Sequence, residues 1–328
     1  MRTPEPLAVP QPPDLLLFTG KGGTGKTTCA AAVALALAEQ GRPAHLLSLD
    51  PAHNAGDVLG CALGDDLAPM GPNLWAREAD LEAHTARRVA RAAAAIAARY
   101  RYLSVASLDP LLSLLGDAPG AEEAAGAEIL AAEVAEARRV GVTLVVDLPP
   151  SGQAWRLLSL PVHLSRWSRA LEGLRLRILD RRRQLRHVLG DDTPARAPDG
   201  GAVPERPEED PVLARVRGVG QGQARLAAQL AAAPQSRIFG VLLPDRLSRL
   251  ETRRLSDRLH RSGLGLAGLI YNRLPGSASV PTDPLPALPR LGLPDLGEGP
   301  RGPEALRGLG ARLLGWIAGH ERPGGAAL

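Results

Sequence analysis

The sequence predicts an α/β protein: a mostly parallel central sheet flanked by helices, with an inserted helical subdomain. Three observations carry this. Five short apolar runs alternate with helical stretches, as parallel strands buried on both faces do. A glycine-rich loop, "GKGGTGKT", joins the first run to the first helix. Two long stretches of helical character, 78–139 and 162–233, break the alternation.

Taken in order, residues 1–13 form a Pro-rich leader that reads as disordered and lacks the apolar run of a signal peptide. "LLLF" is a first strand, ending at Thr19-Gly20, and "KTTCAAAVALALAEQG" a helix closed by Gly41. "AHLLSLD" and "GVTLVVD" are strands that end at Asp50 and Asp147. "RIFGVLL" and "LAGLIYN" are two more, ending near Pro244 and Asn272. Ligands of parallel α/β sheets sit beyond the carboxyl ends of the strands, and Asp50, Asp147 and Asn272 all fall there. Residues 14–320 read as one domain and 321–328 as a tail. Within the helical subdomain, 190–211 is acidic and rich in Pro and Gly, the composition of a flexible loop. "GVGQGQ", at 218–223, reads as a helix interruption.

Composition narrows the function. Apolar residues make up 45% of the 328, enough for a large core, and the scarcity of Phe, Tyr and Met makes that core aliphatic. The net charge of +4 reflects arginine-rich usage scattered over the surface, so no specific nucleic acid is expected. Cys29 and Cys61 form no CxxC and no disulfide framework. No run of about 18 uncharged apolar residues occurs. The chain reads as cytoplasmic.

Lysine use is the sharpest local signal. The chain has 39 basic residues, yet its lysines are Lys21 and Lys26 alone. Lysine is a compact point charge and arginine a wide planar fork, so a tight phosphate cradle accounts for both exceptions. Gly20 to Thr27 fits G-x-x-x-x-G-K-[ST] between a strand and a helix, the context a P-loop needs. The expected nucleotide-binding set is Gly20, Lys21, Gly22, Gly23, Thr24, Gly25, Lys26, Thr27 and Thr28. Backbone N–H groups and the helix N-terminus face the phosphates. Lys26 neutralises the β- and γ-phosphates, and the Thr27 hydroxyl ligates Mg²⁺.

Lys21, directly after the first glycine, gives the loop the deviant Walker A pattern of dimeric nucleotide-switch ATPases. Further stretches resemble one branch of these, the arsenite-pump-driving and tail-anchored-protein-targeting ATPases (ArsA/Get type). "SLDPAHNAGDVLG" (48–60) resembles the first switch and "VVDLPPSGQAWRLLSLP" (145–161) the second. "PDRLSRLETRRLSDRL" (244–259), "IYNRL" (270–274) and "LPDLGEGPRGPEALRGLG" (from 293) resemble later segments in family order. The resemblance spans residues 14 to about 314. It implies a homodimeric, Mg²⁺-dependent ATPase in which nucleotide state governs binding of a client or a membrane partner. By the same resemblance Lys21 reaches the phosphates held by the partner subunit, Asp50 orients the attacking water, and Asn272 hydrogen-bonds adenine. Thr27, Asp50 and Asp147 make up the Mg²⁺ site. Asp57 is either part of that switch or a loop cap.

The sequence also departs from the family pattern. Leu148 and Pro149 stand where Thr-Ala is usual, Gln153 where His is usual, Asp245 where Glu is usual, and the zinc-binding CxxC after Asn272 is absent. Arsenite sites are built from thiolates, and two scattered cysteines argue against one. Iron–sulfur relatives need cysteine pairs. The alternatives are a partition or positioning ATPase (ParA/MinD type), whose first switch usually differs from "DPAHN", and an arsenite-efflux ATPase subunit. For a membrane partner the candidate is "EALRGLGARLLGWIAG", against the plainer reading of a C-terminal helix packed on the sheet. For an apolar protein client it is 164–188, where Leu164, Trp167, Leu171, Leu174, Ile178, Leu185 and Val188 form a stripe interrupted by Arg181. That stripe is either buried in the helical subdomain or one wall of a client groove.

Overall fold

A computed structural model describes residues 15–99, 118, 120–189, 204, 206–276, 279–282, 285, 287–297 and 299–320. The leader 1–13, the tail 321–328 and most of the loop 190–211 lie outside the described residues. The end of that loop is ordered, with a 3₁₀ turn at Pro207–Glu209.

The sheet has eight strands among the described residues: β1 (Leu15–Gly20), β2 (Ala44–Ser48), β3 (Ala68–Gly71), β4 (Leu74–Glu78), β5 (Thr143–Asp147), β6 (Ser236–Leu242), β7 (Leu266–Leu274) and β8 (Arg290–Pro294). Their order is β3-β4-β2-β5-β1-β6-β7-β8. Every neighbouring pair is parallel except β3–β4. All five expected strands are present. Of the three extra ones, β3 and β8 are the edge strands and β4 lies one place in from β3; their apolar runs are short or broken by Pro69, Arg77 and Arg290. Only the last residue of β4, Glu78, falls in the stretch 78–139 expected to be helical, and the helix begins at Leu81.

The helices are α1 (Lys26–Glu39), α2 (Ala55–Leu59), α3 (Leu81–Arg99), α4 (Ala121–Val140), α5 (Ser151–Leu189), α6 (Pro211–Leu230), α7 (Arg246–Arg261) and α8 (Gly302–Gly319). Strand side chains alternate between faces, so β1 sends Leu15 and Leu17 into one core and Leu16 and Phe18 into the other. The first core is closed by α4, α5, α6 and α7. The second is closed by α1 and α8. The surface of α1 is mostly alanine, which lets α8 approach until a Cβ on Gly310 would lie 2.2 Å from the Ala32 carbonyl oxygen. Leu306, Leu313, Leu314 and Ile317 of α8 are buried there, so the apolar face of the C-terminal helix is spent on packing. Among the described residues no helix is long and apolar enough to cross a membrane.

On the other face one expectation is corrected and one of two alternatives is excluded. "GVGQGQ" does not interrupt a helix, because α6 runs through it. A Cβ on Gly220 would lie 2.7 Å from the Ser168 Cβ, so this glycine is where α6 and α5 come closest. The stripe on α5 is not buried either. Trp167 is 69% and Leu185 57% exposed, and Leu171, Leu174 and Ile178 also face outward, while Leu164 is half-buried. Ser165, Ser168 and Leu179 are the buried residues of this part of α5, and Ser168 meets Gly220 of α6. Ion pairs Arg175–Asp210 (2.6 Å) and Arg217–Glu172 (2.7 Å) add to the α5–α6 contact. Small side chains permit the close approach, and the leucines are left outside. Val188 lies beyond the described side chains.

Candidate nucleotide site

The site stands at the carboxyl edge of the central strands. Register fixes who meets whom there. Phe18 pairs with Asp147, Asp147 with Ser48, and Ser48 with Glu78. A row across four strands thus ends in three polar side chains, all buried.

Beyond β1 the chain turns through Gly23 and Gly25, both at positive φ, and enters α1. Gly25 is the N-cap of α1 and offers no side-chain cap, so the first amides of α1 are open to an anion. Gly20 is needed for space, since a Cβ there would lie 2.0 Å from the Val241 carbonyl oxygen. Thr24 is buried, and its hydroxyl donates to the Lys21 carbonyl at 2.9 Å.

A cavity of about 290 Å³ opens over this loop. Gly23, Gly25, Lys26, Thr27, Thr28 and Asp50 form one wall, Asn54, Asp57 and Val58 another, and Arg273, Gly299, Pro300 and Arg301 the far side. Lys26 is almost fully buried, with Nζ 3.2 Å from Asp50 Oδ2. The Thr27 hydroxyl donates to Asp147 Oδ2 at 2.7 Å, and the Ser48 hydroxyl donates to the same oxygen at 3.2 Å. Asp50 Oδ1 accepts the Ala52 N–H at 3.1 Å.

Burial pushes the Asp147 carboxyl up to about 7, against the pull of Lys26, Thr27 and Ser48 and with a further push from Asp50. Its Oδ1 is buried without a hydrogen-bond partner. An unsatisfied, desolvated carboxylate oxygen beside a threonine hydroxyl and a second carboxylate is a donor set that a hard divalent cation fits.

Lys21 is placed apart from these. Its side chain is 41% exposed and its Nζ lies 3.8 Å from Glu251 Oε1 on α7. Within one subunit the two lysines therefore divide, one into the cavity and one toward the surface. Asn272 lies over the loop, its Nδ2 donating to the Thr24 carbonyl at 2.9 Å, while its Oδ1 accepts the Arg273 N–H at 3.0 Å. It lines a narrower slot of about 60 Å³ with Leu293, Pro294, Leu296 and Pro300, next to the larger cavity.

The second-switch departures have structural counterparts. Leu148 is fully buried and its N–H donates to the Phe18 carbonyl at 3.0 Å. After Pro150 the chain enters α5 at once, with the Gln153 N–H donating to the Pro150 carbonyl at 2.8 Å. Asp57 lies in the first turn of α2 and in the cavity wall. The sequence reading missed Ser48, Asn54, Glu78, Arg273 and Arg301. Ser48 was detectable, because a polar residue two before Asp50 on a buried strand shares its face. Glu78 was not, because its strand was not recognised.

Cys29 is buried, and burial, with the Asp147 charge nearby, pushes its thiol up to about 12. Cys61 is exposed, its thiol also raised by partial burial and by Glu78, and it contacts Met70 Sδ at 3.3 Å. Among the described residues no cluster of three or more His, Cys, Asp or Glu side chains is placed to hold a metal ion.

Known proteins resemble this chain over most of its length. The family model for anion-transporting ATPases matches residues 14–280. A putative arsenical pump-driving ATPase of Aquifex aeolicus is 28% identical over 260 residues, 79% of this chain and 80% of that one. The arsenical pump-driving ATPase of Acidiphilium multivorum is 35% identical over 176 residues, which cover 49% of this chain and 27% of that protein. ATPase GET3A of Arabidopsis thaliana is 27% identical over 259 residues, 78% of this chain and 65% of that one. The chain thus spans about four fifths of one of these relatives and about a quarter of another.

Proposed function

The chain belongs to the anion-transporting ATPase family, and on that footing we propose that it is a Mg²⁺-dependent ATPase that works as a homodimer and couples its nucleotide state to an apolar protein client. The observation that carries the reading is the convergence of Lys26, Thr27 and Asp50 on one cavity at a helix N-terminus, with Asp147 bonded to Thr27 behind them.

The residues divide the work as follows. The open amides of α1 and Lys26 take the β- and γ-phosphates. Lys26 is held by Asp50 before nucleotide arrives. Phosphate offers it a stronger partner, which frees Asp50 to orient a water against the γ-phosphorus. Thr27 and, through water, Asp147 would hold Mg²⁺. When bound, Mg²⁺ supplies divalent charge against the phosphate oxygens. Phosphoryl transfer needs positioning and charge neutralisation more than a strong base, so an ordinary carboxylate suffices at Asp50. Lys21, pointing away from its own cavity, is available to a site in a second subunit. Asn272 and the slot beside it take the base.

The exposed apolar face of α5 is the candidate client surface. It begins at Trp167, 20 residues after β5 ends at Asp147, on the helix that continues the second switch. Arsenite is a poor fit, since one thiol is buried with its pKa pushed up to about 12 and the other stands apart from it. The test is twofold: Mg²⁺-dependent release of phosphate from ATP by the purified protein, and co-purification of a client with Asp50→Asn. Absence of Mg-ATP turnover in the wild type sinks the ATPase reading. Absence of any captured protein, with turnover intact, sinks only the client.

A further inference from the structure

One buried carboxylate near the site is not used by the chemistry above. Glu78 ends β4, is 6% exposed, and is in register with Ser48. Its Oε1 accepts the Ala55 N–H at 2.6 Å and the Gly56 N–H at 3.1 Å. Its Oε2 lies 4.0 Å from His53 Nδ1. Its own N–H donates to the Gly64 carbonyl at 2.9 Å, and the Ala79 N–H donates to the Ser48 carbonyl at 3.0 Å.

These bonds meet on one segment. Residues 50–64 leave the sheet after Ser48, carry Asp50, Asn54 and Asp57 past the cavity, and return to the sheet at Glu78. The helix in this segment, α2, has only five residues, too few to be stable by itself. Asn54, at its N-cap, makes no side-chain cap bond. The amides that Asn54 leaves open are taken by Glu78 from across the sheet. His53 sits at φ 46, a conformation that non-glycine residues hold only when their surroundings impose it.

We propose that Glu78 is a positioning residue for ATP hydrolysis: its carboxylate fixes the far end of the Asp50 segment and so sets where Asp50 stands relative to the phosphates. The proposal rests on the ATPase reading. Its physical content is a division of labour. The P-loop is built by β1 and α1 and does not touch Glu78, so nucleotide binding survives its loss. Asp50 is tied to Ala55 through four residues, so the reach of its carboxylate does not survive.

The experiment compares wild type with Glu78→Gln and Glu78→Ala in the full chain. Three quantities are read: amide hydrogen exchange at Ala55 and Gly56 without nucleotide, affinity for ATP, and turnover. Glu78→Ala should lose roughly tenfold or more in protection at both amides. Its turnover should fall roughly 10- to 100-fold, the scale of a small misplacement of a catalytic group, with ATP affinity kept within about threefold. Glu78→Gln keeps the shape and an acceptor oxygen but not the charge, and should fall between. It serves alone if the alanine variant does not fold. Unchanged protection at Ala55 and Gly56 overturns the anchor whether or not the wild type hydrolyses ATP. Normal turnover, or affinity lost in step with turnover, overturns the positioning role. A wild type without turnover defeats the ATPase reading and with it the catalytic part of this one, while the exchange data still judge the anchor.

Discussion

Replacing Lys26 with alanine should separate two effects of one ammonium group. Lys26 faces Asp50 at 3.2 Å, the side chains 3% and 8% exposed, and its charge helps to hold the Asp147 carboxyl down against burial. Its removal strands two carboxylates. Breaking a buried pair costs about 3–5 kcal/mol. This pair borders a cavity of about 290 Å³ that water can enter, so the low end, about 3 kcal/mol, applies. At roughly 2 °C per kcal/mol for a chain of this size, Tm without nucleotide should fall by roughly 6 °C. Adding Asp50→Asn removes one stranded charge and should recover most of that loss. Nucleotide binding should respond differently. A hydrogen bond from a charged group to phosphate is worth about 1.5–3 kcal/mol, so Lys26→Ala should weaken ATP binding by roughly 10- to 150-fold. Asp50→Asn should not restore it. Thermal melts and titration with a fluorescent ATP analogue read the two effects separately. A Tm within about 1 °C of wild type would refute the buried pair, and unchanged ATP affinity would refute the phosphate role of Lys26.

Mixing two inactive variants tests Lys21. If it acts across a dimer interface, Lys21→Ala and Asp50→Asn subunits allowed to exchange should regain roughly a quarter of wild-type turnover for independent sites; a mixture that stays inactive despite proven exchange rejects the trans role. Asp147→Asn should abolish Mg²⁺-dependent ATP binding yet raise the Tm of the nucleotide-free protein. The folded carboxyl sits at about 7 against an ordinary 3.8, so it stabilises below its ordinary value and loses that contribution as pH rises through about 7. In the asparagine variant, melts from pH 4 to 8 should flatten; an unaltered slope counts against the raised carboxyl. At pH 8 a thiol reagent should label Cys61 in the native protein and Cys29 only after unfolding, and arsenite should leave ATP turnover unchanged. Labelling of both thiols at equal rates, or stimulation that Cys61→Ser abolishes, would contradict this.

Much of the candidate phosphate site was legible in one dimension because its pattern is local. A P-loop is eight consecutive residues between a strand and a helix, and Gly20 to Thr27 satisfy it within the chain itself. Asp50 and Asp147 were legible for a related reason: each closes an apolar run, and the sheet puts the ends of such runs on one edge. The central strands, buried on both faces, announce themselves as unbroken apolar segments. The edge strands β3 and β8, and the short, alternating β4 beside one of them, do not.

Sequence could not tell where the α5 stripe faces. Spacing shows that Leu171, Leu174 and Ile178 share a side, and a shared apolar side is ordinarily an inner one. Ser165, Ser168 and Gly220 reverse this, because small residues let two helices approach more closely than leucines do, and the partner helix settles on the small face. Likewise the sequence shows Lys21 and Lys26 five residues apart in one loop, while the fold buries one beside Asp50 and turns the other toward Glu251. Glu78 belongs wholly to the tertiary structure. Its 22 and 23 residues of separation from Gly56 and Ala55 carry no sequence signal. The bonds exist because parallel pairing brings the end of β4 beside the end of β2, and the amides of a short helix must find an acceptor there.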